Sequence, residues 1–254
     1  MTDICIRGRS PVTRPAGNKV VLLTGNSMLG NYSSLTRFKP ANVYEIDPRD
    51  GQCYASDGGA IVGFDPGWYA WAPDGVSRES VAPYMAHLAV AAGHAPSISL
   101  INMAQGGTDC VDWQPGGGYW NRMRAGLATL AAQGIVPDLH IHYLGCWDAL
   151  KGHSTAGVQG ITNWFLLTCR GIMPNTKIKL AKRTYIAGVS PVSQGAVWAG
   201  MYQAAVDRSA QGQAVSAGPD DDIYGITDLV DGAHYTDNSR YYVCQQWVPH
   251  FAGI

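Results

Sequence analysis

The chain has 254 residues, 46% of them hydrophobic, which suffices for one sizeable core and forces no second domain. Eighteen basic residues stand against nineteen acidic ones, and no Lys/Arg block would track a phosphate backbone, which argues against a nucleic-acid partner. No stretch approaches the roughly 20 apolar residues of a membrane span, and Met1 to Arg9 lacks the apolar core of a signal peptide, so a soluble chain without an export signal is expected, with its location left open.

The apolar run Val20-Val21-Leu22-Leu23 ends at Thr24-Gly25-Asn26-Ser27, as a buried parallel strand does where it meets a turn. From Asn31 to Asp74 the sequence is irregular and rich in Gly, Pro and Asp, with a hairpin signal at Pro48-Arg49-Asp50-Gly51. A connection this long is expected to shape or cover a site. Val81 to Ala92 reads as a helix with Pro83 in its first turn and Gly93 ending it. Strands follow at Ile98 to Met103, Leu139 to Leu144 and Lys177 to Arg183, separated by helices over Tyr119 to Gln133 and Ala156 to Ile172. A helix over Val192 to Ser209, a short strand near Ile223 to Ile226 and a last helix from Asp237 to Phe251 complete the pattern. Strands alternating with helices of this length imply an α/β fold: a three-layer α/β/α sandwich around a parallel sheet of about five strands, in a single domain spanning 1–254. Ligands are then expected beyond the carboxyl ends of the strands.

Six cysteines, Cys5, Cys53, Cys110, Cys146, Cys169 and Cys244, are scattered with no C-x-x-C, so reduced thiols are expected rather than a zinc site or a disulfide scaffold. Three turns rich in glycine or polar residues fall at predicted strand ends: Gly25-Asn26-Ser27, Gln105-Gly106-Gly107-Thr108 and Gly145-Cys146-Trp147-Asp148. Asp231-Gly232-Ala233-His234 follows the last predicted strand, placing a carboxylate and an imidazole on one loop. A serine hydroxyl is a poor nucleophile until a base removes its proton, and that base needs an acceptor to fix its tautomer. Taken singly, Ser27 could be a helix N-cap, His234 a surface histidine, and Asp231, Gly106 and Gly107 plain turn residues. Their joint order points to nucleophilic catalysis.

That order, G-x-S, G-x-T, G-x-x-D and D-x-x-H, resembles the four blocks of the SGNH (GDSL-like) hydrolases, a superfamily of flavodoxin-like fold. It is most similar to the sialate O-acetylesterase and carbohydrate esterase family 6 group, in which a Trp follows the second block; here Trp113 follows Gly106-Gly107-Thr108-Asp109-Cys110. The resemblance runs from about Val20 to Phe251. It implies that Ser27 is the nucleophile, His234 the base and Asp231 its orienting acid, with the N–H groups of Ser27 and Gly106 facing the oxyanion. No metal or organic cofactor is implied. The third block departs from the pattern: the superfamily's Asn donor is replaced by Trp147, and the Gln that stands before the glycine in the acetylesterase group is replaced by Leu144. The indole N–H of Trp147 or a residue of the 31–74 insertion is expected to supply the missing donor.

Trp113, Trp147, Trp68 and Trp71 are the candidate platform for a sugar ring, against the alternative that such rings pack the core. The resemblance implies a carbohydrate O-acetylesterase acting on an acetylated glycan, a role that such domains also play in phage tail proteins. Its rivals are a lipase-like or thioesterase member, and a glycan-binding module with weak or lost turnover. His140 and His142 share a strand face at a spacing metal sites use, but with no third ligand in view they are expected to be ordinary strand residues. Asp220-Asp221-Asp222 and His153 are expected in a solvated turn and on a loop surface.

Overall fold

Alternation within one short strand sets the layers. In β1 (Lys19–Gly25), Val20 and Leu22 point to one side of the sheet and Val21 and Leu23 to the other, and all four are buried. Burial of such a side chain contributes about 1.5–3 kcal/mol. The structure, a computed structural model, describes residues 9–27, 29, 39–58, 63, 80–222, 229 and 233–254.

After β1 come β2 (Val43–Ile46), β3 (Cys53–Ala55), α1 (Ala82–Ala91), β4 (Ile98–Asn102), α2 (Gly118–Ala132), β5 (Leu139–Gly145) and the short α3 (Cys146–Leu150). Then follow α4 (Thr155–Ile172), β6 (Lys177–Arg183), α5 (Pro191–Ala210), β7 (Val215–Asp220), α6 (Asp237–Trp247) and a 3-10 turn over Val248–Phe251. The sheet has the order β3-β2-β4-β1-β5-β6-β7, parallel throughout except for β2 with β3. Its inner order β4-β1-β5-β6-β7 is the flavodoxin-like one, and the chain leaves β1 towards β4 before returning to β5 on the other side. The crevice of a doubly wound sheet therefore opens beyond the carboxyl end of β1.

Residues of α2, α4 and α5 pack on the Val20/Leu22 face, among them Trp120, Phe165 and Met201. Residues of α1 and α6 pack on the Val21/Leu23 face, among them Met85 and Trp247. Serine and threonine start the later helices: Ser154 accepts from Gly157 N, Ser190 from Ser193 N with Pro191 behind it, and Thr236 forms a capping box with Ser239.

The structure adds detail to the expected pattern. The described part of the 31–74 insertion contributes a hairpin to the sheet edge: Asp47 N donates to Gln52 O at 2.9 Å, and Gly51 takes φ 75° in the turn. Among the described residues the sheet therefore has seven strands, where about five were expected. The strand expected near Ile223 to Ile226 lies outside the described residues; among those described, the last strand is Val215–Asp220, which was not expected. Gly218 and Pro219 disguised it. At Gly218 a Cβ would come within 2.7 Å of the Trp247 ring, so glycine admits α6 to the sheet, and an edge strand tolerates proline.

Candidate active site

Gly25 brings the first and third blocks together. Its φ is +109°, and a Cβ there would lie 1.9 Å from the carbonyl oxygen of Tyr143 on β5. Asn26 N donates to that carbonyl at 2.8 Å, while Gln105 N, at the start of the second block, donates to Gly25 O at 2.8 Å. The Thr108 hydroxyl closes the second-block turn by donating to Gln105 O at 2.8 Å. Three strand ends thus converge on Ser27, which is 5% exposed.

His234 arrives from the other side of the sequence, and its Nε2 lies 2.9 Å from Ser27 Oγ. Three contacts set its loop. The Arg183 guanidinium, fully buried at the end of β6, donates to Ala233 O at 2.7 Å. The same group lies 5.2 Å over the ring of buried Tyr235, which bridges to Leu229. Two residues after the histidine, Thr236 caps α6. Arg183 escaped the sequence reading because the alternation of Lys177 to Arg183 looks like an ordinary strand, with nothing to mark its last cation as buried.

A half-buried Trp147 sits in the first turn of α3, directly after Gly145, whose φ of +120° and 2.8 Å clearance from Thr184 Cγ2 admit no side chain. Gly106 is half-buried at the turn after β4. The expected acid Asp231, and Trp68 and Trp71, lie outside the described residues.

Trp113 does not fit the role expected of it. It is 1% exposed, its indole N–H donates to Thr108 Oγ1 at 3.0 Å and its ring meets His142 edge-on at 5.8 Å, so it presents no face to a ligand. Its side chain instead buttresses the second-block turn through Thr108.

His140 and His142 both reach the Thr24 hydroxyl, at 2.6 and 2.7 Å, and His142 stacks on Phe165. Burial pulls the His140 imidazole down to about 3; burial and then its neighbour pull His142 well below the ordinary range, so both stay neutral. The three aspartates at the end of β7 and just after it serve separate partners. Asp220 pairs with Lys182, Asp221 accepts from Trp247 Nε1 at 3.0 Å, and Asp222 accepts from the backbone N–H groups of Thr184 and Tyr185. Cys53, Cys110, Cys146, Cys169 and Cys244 are unpaired and buried. Among the described residues no helix is long and apolar enough to cross a membrane.

No protein-family model and no curated protein matches the sequence. Solved structures do match over nearly the whole chain. A protein from Arabidopsis thaliana superposes with a TM-score of 0.60 at 16% identity, covering 92% of this chain and 98% of its own. A lipase/acylhydrolase from Enterococcus faecalis gives 0.56 at 13%, with 91% and 94% covered. A family two carbohydrate esterase from Clostridium thermocellum, solved with cellohexaose, gives 0.55 at 13%, with 94% and 65% covered.

Proposed function

We propose that this chain, which has the SGNH-hydrolase fold, is a serine ester hydrolase and that its substrate is an acetylated glycan. The observation that carries the reading is the 2.9 Å approach of His234 Nε2 to Ser27 Oγ across 207 residues of sequence. A hydroxyl and an imidazole at that distance, at the crevice of a doubly wound sheet, are placed for proton transfer.

In this reading His234 Nε2 takes the Ser27 proton as Oγ attacks the ester carbonyl carbon. The tetrahedral intermediate collapses, the sugar oxygen leaves with the proton from His234, and the acyl group stays on Ser27. Water then attacks the acyl-serine, giving one proton to His234, and the carboxylic acid departs, to ionise in solvent, as His234 returns that proton to Ser27. Asp231 orients the imidazole through Nδ1 and stabilises its charged form. The backbone N–H groups of Ser27 and Gly106 and the Trp147 indole N–H stabilise the oxyanion, a preorganised donor typically being worth about 3–4 kcal/mol.

The glycan assignment draws on the carbohydrate esterase of the same fold and on the aromatic side chains Trp147, Trp68 and Trp71 in the third block and the insertion. The lipase/acylhydrolase of the same fold favours a second reading, hydrolysis of longer acyl esters. Acetate release from acetylated xylan, acetylated sialic acids and bacterial polysaccharides, set against hydrolysis of long-chain acyl esters, separates the two. The glycan reading predicts acetate release that vanishes in Ser27→Ala. Preference for long-chain esters contradicts it, and glycan binding without acetate release contradicts the enzyme reading.

A further inference from the structure

Among the described residues, one group of three side chains of metal-ligating type gathers its donor atoms: Cys110, Asp148 and His153, all within 4.8 Å of one another. Cys110 follows the second-block turn, Asp148 stands in α3, and His153 follows that helix. Cys110 Sγ lies 3.8 Å from His153 Nδ1, and the same nitrogen lies 3.1 Å from Asp148 Oδ1. A tetrahedral ion with bonds of about 2.3 Å to sulfur and about 2.0 Å to nitrogen and oxygen holds S and N about 3.6 Å apart and N and O about 3.3 Å apart. Two of the three donor separations are therefore already close to the edges of such a tetrahedron, and the third lies within 4.8 Å.

A second, independent observation points to the same place. Asp148 is fully buried and its Oδ1 accepts from Cys110 N at 2.9 Å, but its Oδ2 has no hydrogen-bond partner. An orphaned carboxylate oxygen is costly unless a ligand or cation completes it. With an ion bound, coordination by the Nδ1 lone pair would replace the 3.1 Å hydrogen bond between Nδ1 and Asp148 Oδ1, and the imidazole proton would sit on Nε2, which has Asp109 Oδ2 at 3.8 Å behind it. His153 is 25% exposed, which gives the site access to solvent.

We propose that Cys110, Asp148 and His153 form a binding site for a zinc-class divalent cation that clamps the second-block and third-block loops to each other. Thiolate, imidazole and carboxylate together suit a borderline-soft ion and disfavour magnesium or calcium. Coordination displaces the Cys110 thiol proton to solvent. The site takes no part in the Ser27–His234 chemistry and does not depend on it.

The test uses the full chain, stripped with a chelator and titrated with Co2+ under reducing conditions. One equivalent is expected to develop a thiolate-to-cobalt charge-transfer band and the visible bands of a tetrahedral site, both removed by Zn2+. Cys110→Ser is expected to lose the charge-transfer band, His153→Ala to weaken Co2+ binding by at least about tenfold, and Ser27→Ala to bind as the parent does. Zn2+ should raise the melting temperature of the parent and leave that of His153→Ala unchanged. No band at one equivalent, or the same band in Cys110→Ser with folded protein by circular dichroism, overturns the proposal.

Discussion

Replacing Arg183 by Met separates two things that the guanidinium does, holding the histidine loop and holding the fold. The side chain is fully buried and donates to Ala233 O at 2.7 Å, while its contact with Asp222 is long, at 3.5 Å. Asp222 keeps its bonds from Thr184 N, Thr184 Oγ1 and Tyr185 N, so little carboxylate is stranded by the change. Methionine fills much of the volume, and the main loss is one charge-assisted hydrogen bond, about 2–3 kcal/mol of stability. For a chain of this size that is a fall in Tm of roughly 4–12 °C. Misplacing the Ala233-His234 loop by a fraction of its 2.9 Å contact with Ser27 should cost about 100-fold in kcat, with KM within about twofold, because the ester is bound elsewhere. Thermal melts and a chromogenic acetate ester measure both. If the melting temperature falls while kcat changes by less than about threefold, Arg183 is structural only and the loop argument is wrong.

Trp147→Phe keeps the aromatic bulk and removes the indole donor. If that N–H faces the oxyanion, kcat falls by about 100-fold or more at unchanged KM in the same assay, and an unchanged kcat eliminates the indole. Gly25→Ala forces a Cβ to within 1.9 Å of Tyr143 O at a positive φ, and should lower the unfolding free energy in urea by about 3 kcal/mol or more; near-parental stability would mean the β1–β5 contact is looser than described. Asp221 is held well above the ordinary carboxylate range, by burial first and then by Asp222, against the opposing Trp247 hydrogen bond. Its native form therefore binds a proton that the unfolded chain releases above its own value of about 4, so stability falls as pH rises through that point and beyond. Asp221→Asn should flatten the dependence of Tm on pH between about 5 and 8, and an unaltered slope would show that Asp221 is not its source.

What could be read from sequence depended on how local the determining physics is. The helices later found at Ala82–Ala91, Thr155–Ile172 and Pro191–Ala210 carry their signals within a turn or two, in apolar spacing, Ser154 and Ser190 caps and Pro83 and Pro191 in the first turn. The hairpin at Pro48 to Gly51 was marked by its turn residues, but its docking onto the edge of β4 depends on nonlocal pairing. Gly218 reads as a breaker until Trp247, 29 positions later, is seen to need its missing side chain. Ser27 and His234 stood out through block order, which carries over from resemblance. Trp113 was misassigned because exposure is a tertiary property: an aromatic after a glycine turn looks the same whether it faces a ligand or, as here, Thr108 and His142. The Cys110, Asp148 and His153 group spans 44 positions and has no short motif, so only folding reveals it.

The account rests on Ser27 being a nucleophile activated by His234, and covalent capture tests that most directly. Intact-mass analysis after a fluorophosphonate probe should show one adduct, mapped by peptide sequencing to Ser27, absent from Ser27→Ala and slowed by at least about 1,000-fold in His234→Ala. An unmodified chain, or an adduct that persists in Ser27→Ala, would contradict it.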